Sequence, residues 1–146
     1  MNRDPRLRAL SRDHHHALVL ARFIAAIDLR ERLDQDVVTL VKERFETEIL
    51  PHFHVEELLL RALEGRGVDD LVKRTRDEHI RMTTLVAATT ASDASPLREL
   101  SHLMTDHVRF EERELYPACE HRLPAEILDQ VAAARAAAHD PEEGAP

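Results

Sequence analysis

His107 and Glu111 lie four residues apart inside a helical apolar pattern. On an α-helix, residues at i and i+4 differ by about 40° in azimuth and about 6 Å in rise, so they share one face. An imidazole and a carboxylate on one face can converge on a single centre, and both groups bind metal ions. The same arrangement occurs earlier as His52 and Glu56, again followed by a second glutamate. The chain therefore carries two copies of a possible metal-binding motif.

Two more histidines fall on the apolar faces of other predicted helices. The first helix contains three consecutive histidines, and the residues one turn away indicate which of them points inward. His14 has apolar neighbours, whereas His15 has mainly arginine and serine around it and His16 has polar residues on one side. We choose His14 as the inward residue, with His15 as the alternative. His79 is the single histidine of the third helix and is central on its apolar face.

The elements that would position these side chains are four long helices, predicted at about residues 7–29, 35–63, 68–90 and 96–122. Asp34 and Ser95 are predicted N-caps, Pro51 is expected to bend the second helix, and a glycine pair after residue 64 is expected to end it. Short loops favour antiparallel neighbours, so we predict an all-α fold with an up-down-up-down four-helix bundle and a short fifth helix after Pro124. We expect a single domain over residues 1–139, with its core at about 7–122, and a disordered tail over 140–146.

The composition excludes several classes of protein. The chain has 146 residues, 43% of them hydrophobic, with 3 glycines, which is typical of a helical protein. A formal net charge of -8 argues against a nucleic-acid partner or a membrane surface. No apolar run is long enough to span a membrane and the N-terminus is charged, so we expect a cytoplasmic protein. Cys119 is the one cysteine, which excludes an internal disulfide and a thiolate cluster.

The repeated pattern predicts a metal site in the bundle core. Two helical hairpins, each supplying one histidine plus His-x-x-x-Glu, would bring six ligands together with pseudo-twofold symmetry, and six ligands suit two ions. The predicted ligands are His14, His52, Glu56, His79, His107 and Glu111. Nitrogen and oxygen ligands without sulfur favour iron, with manganese or zinc as alternatives. Two carboxylates buried without a cation would cost several kcal/mol each, and no lysine or arginine lies on the predicted inner faces.

Other polar residues have a plainer interpretation. A single His-x-x-x-Glu is most often a surface pair, and one buried histidine usually has a neighbour as its partner, so only the repetition favours a metal. We interpret Glu57 and Glu112 as solvated residues or residues behind the ligands, and Tyr116 and Cys119 as helix-end packing. The remaining histidines are interpreted as surface residues or residues behind the ligands: His15, His16, His54, His102, His121 and His139.

These segments resemble the hemerythrin-like, or HHE cation-binding, domain family over about residues 7–122. The resemblance lies in Leu10-x-x-Asp13-His14, in His52 to Glu57, in Glu78-His79 and above all in the segment from His107 to Pro117. It implies an up-down bundle that holds a non-haem di-iron centre, oxo- or hydroxo-bridged, which binds dioxygen or reacts with oxidants. The six predicted ligands carry over to this family's ligand positions.

Two departures from the oxygen-carrying members matter. Those proteins have a second histidine four residues away on the third helix, where this chain has Thr75 and Thr83. Their fourth helix carries an aspartate one residue beyond the position of Glu111. A missing imidazole leaves a coordination position for solvent or substrate, which favours oxidant chemistry, sensing or metal handling over reversible oxygen carriage.

We therefore predict a di-iron protein that binds or reacts with a small diatomic ligand or peroxide, such as dioxygen, peroxide or nitric oxide. The alternative is a non-catalytic metal-binding or interaction module that buffers iron or uses zinc as a scaffold. A third hypothesis is a helical protein without a metal.

Overall fold

The computed structural model describes residues 2–30 and 33–143, with side chains through residue 138. Within these residues the fold consists of helices and contains no strand, which confirms the predicted all-α class. Five helices follow one another: α1 (Arg8–Ala25), α2 (Gln35–Arg44, Phe45–Ile49 and Leu50–Leu63 in continuous succession), α3 (Asp69–Ala88), α4 (Ser95–Phe110, Glu111–Leu115 and Tyr116–Arg122, also continuous) and α5 (Ala125–Glu143). None of the helices in this described part of the chain combines the length and apolar character needed to cross a membrane.

The helix ends follow the sequence signals with one exception. The Asp34 carboxylate accepts a hydrogen bond from the backbone two residues on, as expected of an N-cap. Gly65 and Gly67 follow α2 with φ of 74° and 88°, a region that glycine adopts without steric cost. The prediction for Ser95 is wrong, because α4 begins at Ser95 and the Asp93 carboxylate accepts from both its backbone N–H and its hydroxyl.

Both long helices contain a π turn just before a proline. The backbone N–H groups of Leu50 and Tyr116 bond to carbonyls five residues back, and Pro51 and Pro117 follow immediately. Proline has no N–H, and its ring clashes with the carbonyl four residues back, which here lies inside the π turn. The wider turn therefore accommodates each proline within a continuous helix. In α2 this π turn stands where we predicted a proline bend.

Two chain segments differ from the prediction. The first helix ends at Ala25, short of residue 29, and residues 31 and 32 of the predicted polar break lie outside the described residues. The fifth helix is not short, because it has 19 residues and reaches Glu143, beyond the predicted start of a disordered tail at 140. Residues 144–146 of that tail lie outside the described residues. Helix α5 packs mainly against residues 50–63 of α2 and also contacts α1.

The core consists of two apolar clusters with polar residues between them. One cluster includes Ile24, Val41, Phe45, Met82 and Leu100. The other includes Leu10, Leu59, Phe110, Leu115 and Val131 of α5. Each of α1, α2, α3 and α4 contributes to both clusters and crosses the polar level between them. The four helices therefore all present polar side chains at one depth.

Candidate metal centre

The structure brings all six predicted ligand residues together at the polar level between the two apolar clusters. We call this set the site layer: His14 from α1, His52 and Glu56 from α2, His79 from α3, and His107 and Glu111 from α4. All six are buried, and both glutamates are 0% exposed. His15 and His16 are exposed, so α1 presents His14 to the core as the neighbouring residues predicted.

The site layer divides into two groups that share both carboxylates. The first group is His14, His52, Glu56 and Glu111, and the second group is Glu56, His79, His107 and Glu111. Within each group one ligand atom of every residue lies within 4.8 Å of the others. Each group thus has two imidazoles of its own, while the two carboxylates lie between the groups. This is the pseudo-twofold arrangement that the repeated motif predicted.

The distances within the layer are short on both sides. In the first group, Nε2 of His14 lies 2.8 Å from Oε1 of Glu111, and Nε2 of His52 lies 3.2 Å from Oε2 of Glu56. In the second group, Nε2 of His79 lies 3.1 Å from Oε1 of Glu56, and Nε2 of His107 lies 3.1 Å from Oε2 of Glu111. All four imidazoles therefore direct Nε2 toward the shared carboxylates.

The second group contains buried polar atoms that do not hydrogen-bond one another and that a cation would satisfy. Four of its buried atoms have no hydrogen-bond partner among the described residues: Oε1 of Glu56, Nε2 of His79, Nε2 of His107 and Oε2 of Glu111. Each unsatisfied buried polar atom costs about 1–3 kcal/mol. A cation bound between two imidazole nitrogens and two carboxylate oxygens would satisfy all four atoms together. The donor set is therefore suited to a metal ion.

The charges of the layer stabilise one another in the absence of a metal. Burial alone would lower the pKa of His107, but the neighbouring Glu111 carboxylate raises it from 6.5 to about 10. Burial alone would raise the pKa of Glu111, but the charge of His107 and the contact with His14 at 2.8 Å hold it well below 4.5. Protons on the imidazoles thus compensate the buried carboxylates, which is the role that a bound cation would take over.

Comparison with known proteins agrees with this geometry. The family model for the hemerythrin HHE cation binding domain matches residues 6–119. The chain belongs to this family. No curated protein and no solved structure matched the chain. The matched region of the HHE domain contains the whole site layer and ends before α5, and Arg3 also lies outside it.

Three carboxylates lie behind imidazoles of this HHE domain, and only Glu112 was among the residues considered for such a place. The Nδ1 atom of His14 lies 2.7 Å from Glu112, that of His52 lies 3.2 Å from Asp13, and that of His107 lies 2.8 Å from Glu78. A carboxylate that accepts from Nδ1–H fixes the imidazole with Nε2 free to bind a metal. Each pair joins two helices, so adjacency in sequence does not reveal it. Of the two interpretations of Glu112, as a solvated residue or as a residue behind the ligands, the contact with His14 supports the second.

Tyr116 belongs to the site and not only to the end of α4. Its side chain is fully buried, and its hydroxyl donates to Oε2 of Glu56 at 2.7 Å. The same oxygen lies 3.4 Å from Nε2 of His14 and 3.5 Å from Nε2 of His52. Burial, followed by the charges of Glu56 and Glu111, raises the pKa of Tyr116 well above 10, so the hydroxyl keeps its proton in the metal-free protein. The π turn in α4 places Tyr116, five residues after Glu111, beside the first group.

Two other expectations about individual residues are clarified by the structure. Cys119 lies buried in the second apolar cluster, and burial raises the pKa of its thiol, which agrees with a packing role. Glu57 pairs with Arg76 at 2.7 Å and lies away from the site layer. The exposed histidines include all but one of those predicted at the surface: His15, His16, His54, His102 and His121. The side chain of His139 lies outside the described residues.

The two threonines at the missing imidazole position of α3 have different surroundings. Thr75, one turn before His79, is fully buried and donates to the carbonyl of Leu71. Thr83, one turn after His79, is exposed and donates to the carbonyl of His79. Of the two positions, only Thr75 faces the protein interior.

The layer is bordered by a small cavity and an open groove. The cavity has a volume of about 10 Å³ and is lined by His14, His52, His107 and Glu111 on one side and by apolar residues such as Met82 and Met104 on the other. A volume of this size holds about one water-sized molecule. The α2–α3 groove is open to solvent, has a volume of about 510 Å³ and is lined by residues including Phe53, His79, Thr83 and Ala87.

Proposed function

We propose that this HHE domain binds two iron ions in the site layer and that the pair binds or reacts with dioxygen, peroxide or nitric oxide, as a sensor or an oxidant- or iron-handling protein. The observation that carries the proposal is the pair of overlapping ligand groups that share Glu56 and Glu111. Two imidazoles and two shared carboxylates for each ion give nitrogen and oxygen ligands that suit iron. Manganese and zinc also bind imidazole nitrogen or carboxylate oxygen and are alternatives to iron. The short connections between helices support the up-down order of the bundle.

Four protein residues per ion leave room for a small exogenous ligand. Bound iron supplies open coordination positions and one-electron redox chemistry, which histidine and glutamate side chains lack. The protein orients three of the imidazoles through hydrogen bonds to Asp13, Glu78 and Glu112. Tyr116 donates a hydrogen bond to Glu56. The two apolar clusters exclude bulk water from the site layer.

The cavity beside the layer supports a ligand of two or three atoms. Its volume of about 10 Å³ and its apolar side match a small, weakly polar molecule better than an organic substrate. The single cysteine and the acidic composition support a cytoplasmic location, where such a ligand would reach the protein by diffusion.

The test is the optical response of the iron-loaded chain. Loading with ferrous iron without oxygen, followed by dioxygen, peroxide or nitric oxide, should produce new near-ultraviolet and visible absorption. Ala17 lines the cavity, so Ala17→Leu should slow this response at unchanged iron content. Ala87→Leu, in the α2–α3 groove, is the matched control and should respond as the wild type does. Iron binding without any spectral response would favour the alternative, a protein that buffers iron or uses a metal as a scaffold.

A further inference from the structure

Three of the four imidazoles are held by a carboxylate that is itself held by an arginine. The three chains of contacts run from His52 through Asp13 to Arg135, from His14 through Glu112 to Arg3, and from His107 through Glu78 to Arg74. An arginine that pairs with a carboxylate fixes the orientation of both carboxylate oxygens. The arginine therefore acts on the metal ligand through an intermediate group.

Arg135 and Arg3, the two arginines that pair with the carboxylates behind the first group, lie outside residues 6–119, which the family model matches. Asp13 is 5% exposed, and Arg135 of α5 binds it with Nη2 at 2.7 Å and Nε at 3.3 Å. Without a cationic partner, a carboxylate buried to this extent would turn toward water, and its contact with His52 would be lost. Helix α5 thus reaches the site layer through a buried ion pair.

Arg3 connects the N-terminal segment to the same side of the layer. Its guanidinium lies 3.2 Å from Glu112 and 2.7 Å from Glu120, and it also donates to the backbone carbonyl of Glu112 at 2.8 Å. It lies over the ring of Tyr116 at 5.5 Å from the centroid. Both imidazoles of the first group are therefore fixed from behind by arginines near the two ends of the chain.

The second group is held less firmly. Arg74, behind Glu78, is 45% exposed and pairs with it along the surface of α3, and exposed pairs of this kind contribute little stability. His79 has no carboxylate at Nδ1 among the described residues, and its ring stacks on Phe53 with centroids 3.8 Å apart. His79 also lines the open α2–α3 groove. No arginine–carboxylate pair among the described residues lies behind His79, so this ligand of the second group can leave its position without breaking such a pair.

We infer that Arg3 and Arg135 are positioning residues that make the first metal position, defined by the first group, release its ion more slowly than the second. The second position, defined by His79 and His107, exchanges its ion through the α2–α3 groove. This inference rests on the proposed binding of two ions. Loss of a residue that orients a metal ligand typically lowers metal affinity about 10- to 100-fold.

The test is the release of ferrous iron from the fully loaded chain to a colorimetric ferrous chelator without oxygen. The wild type should show a fast and a slow phase of equal amplitude. Arg135→Gln and Arg3→Gln should accelerate the slow phase about 10-fold or more and leave the fast phase unchanged. Arg135→Lys should accelerate the slow phase less than Arg135→Gln does, because lysine keeps the charge but not the two-point contact. Arg81→Gln, which breaks an exposed ion pair with Glu99 away from the layer and the α2–α3 groove, is the control.

A second readout needs no metal. In the metal-free chain, nitrogen-15 spectra of the imidazoles should show a protonated, hydrogen-bonded Nδ1 at His52 that is lost or shifted in Arg135→Gln and kept in Arg81→Gln. If Arg135→Gln does not fold, Arg135→Lys provides the comparison at His52, and Arg3→Gln provides the equivalent comparison at Nδ1 of His14. A single release phase with two ions bound, an effect on the fast phase, or equal acceleration of both phases would overturn the inference alone. Absence of iron binding would overturn the proposed function and this inference together.

Discussion

The hydroxyl of Tyr116 donates a hydrogen bond to Oε2 of Glu56 over 2.7 Å, between α4 and α2. Both side chains are fully buried, so the bond forms away from water. The tyrosine thereby occupies the side of the shared carboxylate that faces the first group. The carboxylate oxygens that face the second group, Oε1 of Glu56 and Oε2 of Glu111, have no hydrogen-bond donor among the described residues, so the two sides of the layer differ.

Replacement of this tyrosine should destabilise the metal-free protein. Tyr116→Phe keeps the ring but leaves an oxygen of Glu56 without its donor, which should lower the free energy of unfolding by about 1–3 kcal/mol. Urea denaturation of the metal-free chain measures this change. The loaded variant should still bind iron, because Tyr116 is not one of the six proposed ligands. Unchanged stability would show that the hydrogen bond contributes nothing, and complete loss of iron would make Tyr116 a ligand.

The two shared carboxylates should matter more for iron binding than Glu57, which follows Glu56 in sequence. Glu56→Gln and Glu111→Gln should each reduce the iron content strongly, because each carboxylate belongs to both ligand groups. Glu57→Gln should leave the iron content unchanged, because Glu57 pairs with Arg76 outside the layer. Elemental analysis after loading and desalting compares the three variants. Equal losses in all of them would contradict the shared position of Glu56 and Glu111.

Helix α1 offers a comparison between adjacent residues. His14→Gln should remove one of the two bound ions, because His14 belongs to the first group alone. His15→Gln should not change the iron content, because its side chain is exposed. Both substitutions remove an imidazole from the same helix, so an effect on helix stability alone would appear in both variants. The same loss of iron from both would show that the site does not distinguish the two faces of α1.

The stability of the metal-free chain should fall as the pH rises above neutrality. The pKa of His107 is raised from 6.5 to about 10 by Glu111, so the stability that its proton contributes is fully present below about pH 6.5 and is lost as the pH rises through 10. The lowered pKa of Glu111 acts in the opposite direction, and its contribution is present above about pH 4.5 and lost as the pH falls below it.

Urea denaturation of the metal-free chain between pH 6.5 and 10 measures the alkaline part of this dependence. The midpoint should fall over this range in the wild type, and it should fall less in Glu111→Gln, which removes the principal partner of His107. A midpoint that stays constant or rises over this range in the wild type would contradict the assignment.

The residues that meet in the site layer could be predicted from sequence because their signal is local. Helical periodicity places His52 with Glu56 and His107 with Glu111 on single faces, and the apolar neighbours of His14 distinguish it from His15. The repetition of the motif then indicates that these faces meet. The order of the helices and the all-α class follow from the same periodicity.

The pairing of each proposed ligand with the carboxylate behind it could not be predicted in this way. Asp13 precedes His14 in sequence but contacts His52, and Glu78 precedes His79 but contacts His107. These pairings depend on how neighbouring helices are rotated about their axes, which periodicity does not specify. The position of Tyr116 depends on a π turn, which shifts every later residue of α4 relative to a regular α-helix. The length of α5 was underestimated because its alanine-rich segment has a weak apolar pattern.

The iron content and Mössbauer spectrum of the loaded wild-type chain test the central claim most directly. If the six side chains of the site layer hold two ions that share Glu56 and Glu111, the chain should bind two iron ions, and the oxidised protein should show the spectrum of a magnetically coupled pair. One iron ion per chain with the spectrum of an isolated high-spin centre would contradict the account, and so would a chain that binds no iron.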